Sequence, residues 1–248
     1  MAFAAVIGAI FGSFFNVVAY RLPRGESLSR PRSRCPGCAT QIKAYDNIPV
    51  LSWLVLRGRC RACGTRISAR YPLVEAGTAL LCALVVVDQG FDEDAVLGLA
   101  MVLLLVPVAL IDLDTQTIPN KLMIVGAVAA PAIVLLTEPD AITEHLIACV
   151  AGGGFFLLAV LAYPRGMGMG DIKLAAVLGL FLGRAVAPAI FIALVAGTVV
   201  GGLIMARKGM QEGRKTKVPF GPFLALGGYV ALFAGDAMVD WYLGAFFS

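Results

Sequence analysis

The sequence predicts an all-α polytopic membrane protein with about eight transmembrane helices, and two observations on its 248 residues support that prediction. Hydrophobic residues make up 59% of the chain and charged residues only 15%, against about 25% charged residues in a typical soluble domain. The mean hydropathy of +0.86 leaves too little polar surface to cover a water-soluble globule. The same composition excludes a disordered chain, a collagen-like fibre, a coiled coil and a small secreted domain held by disulfides.

The apolar stretches give the expected positions of the helices. A bilayer core about 30 Å thick needs about 20 helical residues to cross it. Stretches of suitable length run over 2–20, 72–87, 95–111, 121–137, 146–163, 185–206 and 218–235, and a shorter one runs over 172–183. Since no basic residue precedes Arg21 and no small-residue cleavage pattern follows, we expect the first stretch to be a retained anchor rather than a removable signal peptide.

Basic residues are concentrated in two loops, which predicts how the chain is oriented. Eleven of the 20 Lys and Arg residues lie between Arg21 and Arg70, and five more lie between Arg207 and Lys217. Cytoplasmic loops carry an excess of basic residues, so we expect 21–71 in the cytoplasm and the N-terminus outside. Alternating crossings then put three further segments inside, at 112–120, 164–171 and 207–217. They put three acidic clusters outside, at 88–94, 138–144 and 236–240.

We therefore expect three parts: a first transmembrane helix at 1–20, a cytoplasmic loop at 21–71 and a membrane core at 72–248. The loop contains two CxxC pairs with 21 residues between them. Each pair can present two thiolates about one tetrahedral edge apart, so the two pairs together predict a Cys₄ zinc site. Its ligands would be Cys35, Cys38, Cys60 and Cys63. Zinc would let a loop of this size fold without a sizeable apolar core, so we expect a structural role.

Other interpretations of the cysteines are less favoured. Two disulfides or four free thiols are possible, but disulfides are disfavoured in a reducing cytoplasm. A thioredoxin-like redox pair needs a βαβ context that this Arg-rich loop lacks. Cys82 and Cys149 stand singly in apolar stretches, and we expect them to be small packing residues.

Acidic residues at membrane depth are costly and are therefore candidates for function. Asp112 and Asp114 end the third long apolar stretch, and Asp171 closes the glycine-rich turn that begins at Gly166. The chain crosses the membrane twice between these positions, which returns them to one face. Only about 12 apolar residues, or about 18 Å of helix, separate Asp171 from Arg184. That is too short to span, so we expect the helix to begin below the membrane surface and to sink Asp171 into it. Gly168 and Gly170 would allow the close backbone approach and the unusual φ values that such a buried turn needs.

Two carboxylates that meet in a water-filled cavity would share a proton. Aspartic proteases use this arrangement: one carboxylate deprotonates water, and the other protonates or hydrogen-bonds the scissile carbonyl. Alternatively, Asp112 and Asp114 are solvated loop acids and Asp171 caps a helix N-terminus. A proton-coupled transporter could also use paired membrane acids, and a non-enzymatic scaffold could display the zinc module. Spacing alone leaves these alternatives open.

Several motifs stand in a characteristic order. Gly168-Met169-Gly170-Asp171 forms a GxGD motif that continues as Ile172-Lys173-Leu174, and Ile111-Asp112 is followed by Ile118-Pro119. The remaining motifs are Gly12-Ser13-Phe14 with Asn16, Tyr20-Arg21-Leu22-Pro23, Asn47-Ile48-Pro49 with Ser52-Trp53, Arg57-Gly58, Tyr71-Pro72-Leu73-Val74-Glu75 and Pro219-Phe220-Gly221-Pro222-Phe223. This set resembles the type IV prepilin peptidases, a branch of the GxGD membrane aspartyl proteases, over essentially the whole chain. One departure is Asn120, where the family commonly has aspartate.

The resemblance implies an enzyme that removes the short basic leader from prepilins and pseudopilins at the cytoplasmic face of the bacterial inner membrane. It implies Asp112 and Asp171 as the catalytic pair, with Asp114 as the rival of Asp112. Many members with a four-cysteine loop, whose cysteines are held to bind zinc, also methylate the new N-terminal residue, usually phenylalanine, with S-adenosylmethionine. A peptidase without methyltransferase activity stays open, because 21–71 contains no glycine-rich methyltransferase fingerprint.

Expected partners are prepilins or pseudopilins and membrane lipid, and we expect no nucleic acid. Asn16 is expected to make an interhelical hydrogen bond. Glu75 and Asp46 either meet the basic residues of a leader or serve in a cap or buried pair. His145 is expected outside the membrane, away from the chemistry.

Overall fold

The computed structural model describes residues 1–163, 168–209 and 218–246. Over these ranges the chain forms nine α-helices, joined by loops and by three 3₁₀ turns, and its extended pairing is limited to two isolated bridges. The helices are α1 (Ala2–Arg21), α2 (Leu51–Val55), α3 (Arg70–Gln89), α4 (Asp94–Thr115), α5 (Asn120–Thr137), α6 (Ile142–Ala162), α7 (Met169–Leu182), α8 (Val186–Lys208) and α9 (Gly221–Phe246). Residues 164–167 of one predicted inner segment and 210–217 of the second basic loop lie outside the described residues.

The predicted fold class is confirmed. Every predicted apolar stretch corresponds to a helix, and the short α2 is an addition within the loop. Seven helical segments of the described chain are long and apolar enough to cross a membrane. α7 and α8 count as one of these segments, since together they form one apolar stretch of 40 residues. The chain is therefore an all-α polytopic membrane protein.

Several helix boundaries differ from the predicted ones, and the start of α7 and the end of α9 are two examples. α7 begins at Met169 rather than at 172, so the GxGD motif forms its first turn instead of the loop before it. α9 continues through Asp236 and Asp240 to Phe246, so the third acidic cluster lies on a helix. Its acids have a partner there: the Arg184 guanidinium lies 2.8 Å from a carboxylate oxygen of each.

Met1–Phe91 forms one compact unit in which α1 and α3 pack together. Two glycines of α1 allow the close approach: a Cβ at Gly8 would lie 2.8 Å from the carbonyl oxygen of Thr78, and one at Gly12 would lie 2.8 Å from Cα of Glu75. Small residues at four-residue spacing are typical of such helix pairs in membranes. Asn16 donates hydrogen bonds from Nδ2 to the carbonyl oxygens of Gly12 and Tyr71, which confirms its predicted interhelical role.

Asp92–Ser248 forms a second compact unit. Its central element is α7, in which ten of 14 residues are buried. At about 1.5 Å per residue this helix is about 21 Å long, and its neighbours in the unit include α4, α5, α6, α8 and α9. A polar side chain in its first turn is therefore enclosed by protein.

The far end of α7 is fixed by polar contacts. The backbone N–H of Arg184, just beyond α7, donates to the Glu144 carboxylate over 2.9 Å, and Nδ1 of His145 lies 2.8 Å from the carbonyl oxygen of Leu180. These contacts place the start of α6 beside the end of α7, so the two helices are antiparallel. His145 accordingly lies at the end of α7 opposite Asp171.

Candidate active site and metal centre

Asp112 lies in the last turn of α4 and is only 4% exposed. Its Oδ2 accepts a hydrogen bond of 2.8 Å from the backbone N–H of Gly221, which begins α9. A residue 109 positions away in the sequence therefore orients this carboxylate. The motif around Gly221 was visible in the sequence, but nothing in its spacing indicated this contact.

Asp171 is the third residue of α7 and is 9% exposed. Its Oδ2 accepts a hydrogen bond of 3.2 Å from the backbone N–H of Gly168, the residue before the helix. Asp171 therefore caps the start of α7, as the alternative interpretation predicted. Capping alone, however, does not require burial, because a capping carboxylate is also effective at an exposed helix end.

The two buried carboxylates lie close enough for Asp112 to repel Asp171 electrostatically. The prediction that two crossings return them to one end of the structure is consistent with this proximity. Each also accepts a hydrogen bond from backbone at the start of a helix, α9 for Asp112 and α7 for Asp171. Asp114, two residues after Asp112, is exposed. Burial thus distinguishes Asp112 from its sequence rival.

Close packing explains the second glycine of the GxGD motif. A Cβ at Gly170 would lie 3.0 Å from Cβ of Ile118, so the motif of the second aspartate packs directly against the segment that follows the first. The expectation of unusual φ values at this turn is wrong, because Gly168 has φ −83° and Gly170 lies within α7. Gly170 is therefore needed because it leaves space for the Ile118 side chain, and not because it adopts a backbone conformation that other residues avoid.

Asn120, the one departure from the family motif, has a partner of its own. Its Oδ1 accepts a hydrogen bond of 2.8 Å from Nζ of Lys173, two residues after Asp171. The amide oxygen thus supplies an acceptor where a carboxylate is common. The contact joins the first turns of α5 and α7 beside the aspartate pair.

The four predicted metal ligands come together. The sulfur atoms of Cys35, Cys38, Cys60 and Cys63 all lie within 4.8 Å of one another, and those of Cys35 and Cys63 are 3.7 Å apart. Zn–S bonds of about 2.3 Å in a tetrahedron put sulfurs about 3.8 Å apart. The four thiols therefore form a group that could hold a metal ion.

The two cysteine pairs are built alike, which the sequence reasoning missed. In each, the first cysteine's N–H donates to a threonine carbonyl five residues on, Thr40 for Cys35 and Thr65 for Cys60, and both bonds are 2.9 Å long. The common signal is the pattern R-C-x-x-C-x-T-x-I, which occurs at 34–42 and again at 59–67. Two copies of one turn thus face each other across the site.

Hydrogen bonds stabilise the loop that carries the four cysteines. Arg61 donates to both carboxylate oxygens of Asp46 over 2.6 to 3.0 Å, and that hydrogen bonding lowers the pKa of Asp46. The hydrogen bond with the Thr65 hydroxyl is the main cause that lowers the pKa of the Cys63 thiol to about 6. A lowered pKa favours the thiolate, which is the form that binds metals.

Glu75 also has a defined partner. Its buried carboxylate accepts a hydrogen bond of 2.7 Å from the backbone N–H of Val50, a residue with the left-handed φ of +61°. Of the two roles considered for Glu75, the structure therefore favours a buried structural contact.

Comparison with known proteins identifies the family. Residues 6–89 match the model of the bacterial peptidase A24 N-terminal domain, and residues 97–203 match that of the type IV leader peptidase family. The chain is 35% identical to a prepilin leader peptidase/N-methyltransferase of Stutzerimonas stutzeri, over 97% of this chain and 92% of the relative. It is 36% identical to the protein of that name from Aeromonas hydrophila, over 96% and 91% of the two chains.

A third relative of the same name, from Pseudomonas putida, is 35% identical over 94% of this chain and 90% of its own. No solved structure matches the chain at a significant level. Because such relatives align with nearly the whole chain and the two family models follow one another along it, the chain belongs to the type IV leader peptidase family.

Proposed function

We propose that this protein cleaves the leader from prepilins or pseudopilins with Asp112 and Asp171 as its catalytic pair, and then methylates the new N-terminal residue. The observation that carries the proposal is the buried pair itself: two carboxylates, from the end of α4 and the start of α7, lie within electrostatic range of each other, and each accepts a backbone N–H. The names of the relatives, which pair leader peptidase with N-methyltransferase, support both activities.

The proposed chemistry is hydrolysis of one peptide bond. One ionised aspartate accepts a proton from water as the water oxygen attacks the scissile carbonyl, and the other, protonated, donates a proton to the carbonyl oxygen. Collapse of the tetrahedral intermediate breaks the C–N bond: the aspartate that took the proton from water donates it to the leaving nitrogen. The other aspartate takes back its proton from the hydroxyl as the carbonyl re-forms. Burial favours one ionised and one protonated aspartate, because two nearby carboxylates with little water around them are more stable with one shared proton than with both groups ionised.

In this proposal the protein lies in the bacterial inner membrane with its N-terminus outside. The loop 21–71 and the aspartate pair then face the cytoplasm, where a basic leader meets the bilayer. The excess of arginine in the loop supports this orientation.

The Cys₄ group is proposed to hold a structural zinc ion, since sulfur spacing and ligand type suit tetrahedral zinc. The methyl donor is proposed to be S-adenosylmethionine, whose sulfonium supplies a methyl group to the new amine.

The test is mass spectrometry of a prepilin incubated with detergent-purified protein and S-adenosylmethionine. We expect wild type and Asp114→Asn to release the leader, and Asp112→Asn and Asp171→Asn to lose at least about 10³-fold in rate. A gain of about 14 Da on the mature product would establish methylation. Cleavage without that gain would mean that the protein is a peptidase without methyltransferase activity. If Asp114→Asn fails and Asp112→Asn cleaves, the first aspartate is misassigned; if all three variants cleave, the protease proposal is wrong.

A further inference from the structure

We propose that Gly221 is a positioning residue for Asp112, required because its backbone N–H and its missing side chain together fix the carboxylate. This inference rests on the proposed function, since it treats Asp112 as a catalytic residue. It assigns a role to the Pro219-Phe220-Gly221-Pro222-Phe223 motif that opens α9.

The hydrogen-bond donors at the start of α9 include one that reaches Asp112. The N–H groups of Phe223 and Leu224 both donate to the carbonyl oxygen of Phe220, over 3.0 and 3.1 Å. Pro222 has no N–H. Gly221 therefore provides the donor of this turn that points out of the helix, and it donates to Oδ2 of Asp112 over 2.8 Å.

The space beside Gly221 is too small for a side chain unless Asp112 moves. A Cβ built on Gly221 would lie 2.7 Å from Oδ2, 3.1 Å from Cγ and 3.2 Å from Cβ of Asp112. Cβ atoms essentially never approach another heavy atom to 2.7 Å, so any other residue would push the carboxylate away from its place. Asp112 is itself buried at the end of α4, which limits where it can move.

The aromatic ring of Phe220 holds this turn in place. The Phe220 ring packs edge-on against the fully buried Phe156 of α6, with ring centroids 5.8 Å apart. It also lies over Gly197 of α8, where a Cβ would be 3.1 Å from the ring. Phe220 thus anchors the turn to two helices, and the adjacent Gly221 N–H is held at a fixed position beside Asp112.

The test compares Gly221→Ala with Gly228→Ala, a control seven residues along the same helix. A Cβ at Gly228 would crowd the Leu178 and Leu105 side chains at 3.0 and 3.1 Å, away from Asp112. We expect Gly221→Ala to lower kcat for prepilin cleavage about 100-fold with KM unchanged, because misplacing a catalytic group affects the chemical step and not binding. We expect Gly228→Ala to keep the wild-type kcat.

A second pair of variants covers the case in which Gly221→Ala does not fold. Phe220→Ala removes the anchor without a clash, and we expect a lower kcat with unchanged KM; Phe220→Leu refills the contact and should restore most of the rate. Thermal unfolding and methylation of an already processed pilin check that each variant is intact.

The outcomes separate this inference from the proposed function. If Gly221→Ala and Phe220→Ala both cleave at the wild-type rate while Asp112→Asn is inactive, the positioning role is overturned and the catalytic pair stands. An equal loss of kcat in Gly228→Ala would also overturn it, because general crowding of α9 would then explain the result. If Asp112→Asn itself cleaves, the proposed function is wrong.

Discussion

Asp112 and Asp114 differ by two positions, and an α-helix turns about 100° per residue. Their side chains therefore leave α4 about 200° apart, and one faces the interior of the unit while the other is exposed. At the scale of single residues, this rotation is what separates a candidate catalytic group from a solvated acid.

Glu75 gives a prediction at the same scale. Glu75→Ala would leave the partly buried Val50 N–H without its acceptor, and losing such a hydrogen bond costs about 0.5–1.5 kcal/mol. Glu75→Gln keeps an oxygen in place, so we expect a clear fall in thermal stability for the alanine variant and a small one for glutamine. Thermal unfolding in detergent measures both. A stable Glu75→Gln variant with a raised KM for prepilin would instead mean that this carboxylate binds the leader.

The sequence was sufficient to predict positions that depend on the number of membrane crossings or on the spacing of metal ligands. Two crossings between Asp112 and Asp171 predicted their return to one end, and the two CxxC pairs predicted the sulfur cluster. The contact of Gly221 with Asp112 could not be predicted in this way, because it depends on how the first turn of α9, 109 residues along the chain, is oriented in the folded protein. The φ values of the GxGD glycines were mispredicted because glycine signals either backbone freedom or close packing, and the sequence alone does not separate the two.

At the scale of elements, α6 and α7 approach so closely that a glycine is required between them. A Cβ at Gly179 would collide with the backbone carbonyl of Ala148, whereas one at Gly154 of α6 meets nothing within 4 Å. Backbone cannot move aside as a side chain can, so the pair of helices would have to separate.

We therefore expect Gly179→Ala to destabilise the protein by about 1–3 kcal/mol or more, the usual cost of overpacking. Gly154→Ala should be neutral or slightly stabilising, since alanine is about 1 kcal/mol better than glycine within a helix. Thermal unfolding of the two variants beside wild type is the measurement. Equal stability of the two variants would contradict the close helix contact.

The cysteine loop is the second element with a direct test. Cys38→Ser removes one of four thiolates, so we expect the zinc content of the purified protein, measured by elemental mass spectrometry, to fall from one ion per chain to near zero. Cys149→Ser is the matched control, because Cys149 lies in α6 outside the group. Full zinc content in Cys38→Ser would rule out the four-sulfur site.

At the scale of the whole molecule, all eight predicted apolar stretches form helices, and seven segments of the described chain are long and apolar enough to cross a membrane. The orientation and the division at residues 20 and 71 stay predictions. α9 was predicted too short because Asp236 and Asp240 end the apolar pattern, although their pairing with Arg184 lets the helix continue. Tertiary contacts of this kind are not visible in hydropathy.

Orientation is tested by reporter fusions. An alkaline phosphatase fusion after Asp92 should be active, because 88–94 is predicted outside, and one after Gln41 should be inactive. A cytoplasmic fluorescent reporter at the same two positions should give the reverse pattern. Activity after Gln41 would invert the proposed topology and would place the cysteine loop outside.

The central claim is that Asp112 and Asp171 act as one catalytic unit, and a double-mutant cycle on prepilin cleavage tests it most directly. Residues that act together are strongly non-additive. We predict that Asp112→Asn, Asp171→Asn and the double variant have the same residual rate, with wild-type metal content in all three. If either single variant keeps substantial activity, or if the two losses add in the double variant, the aspartates do not work as a pair.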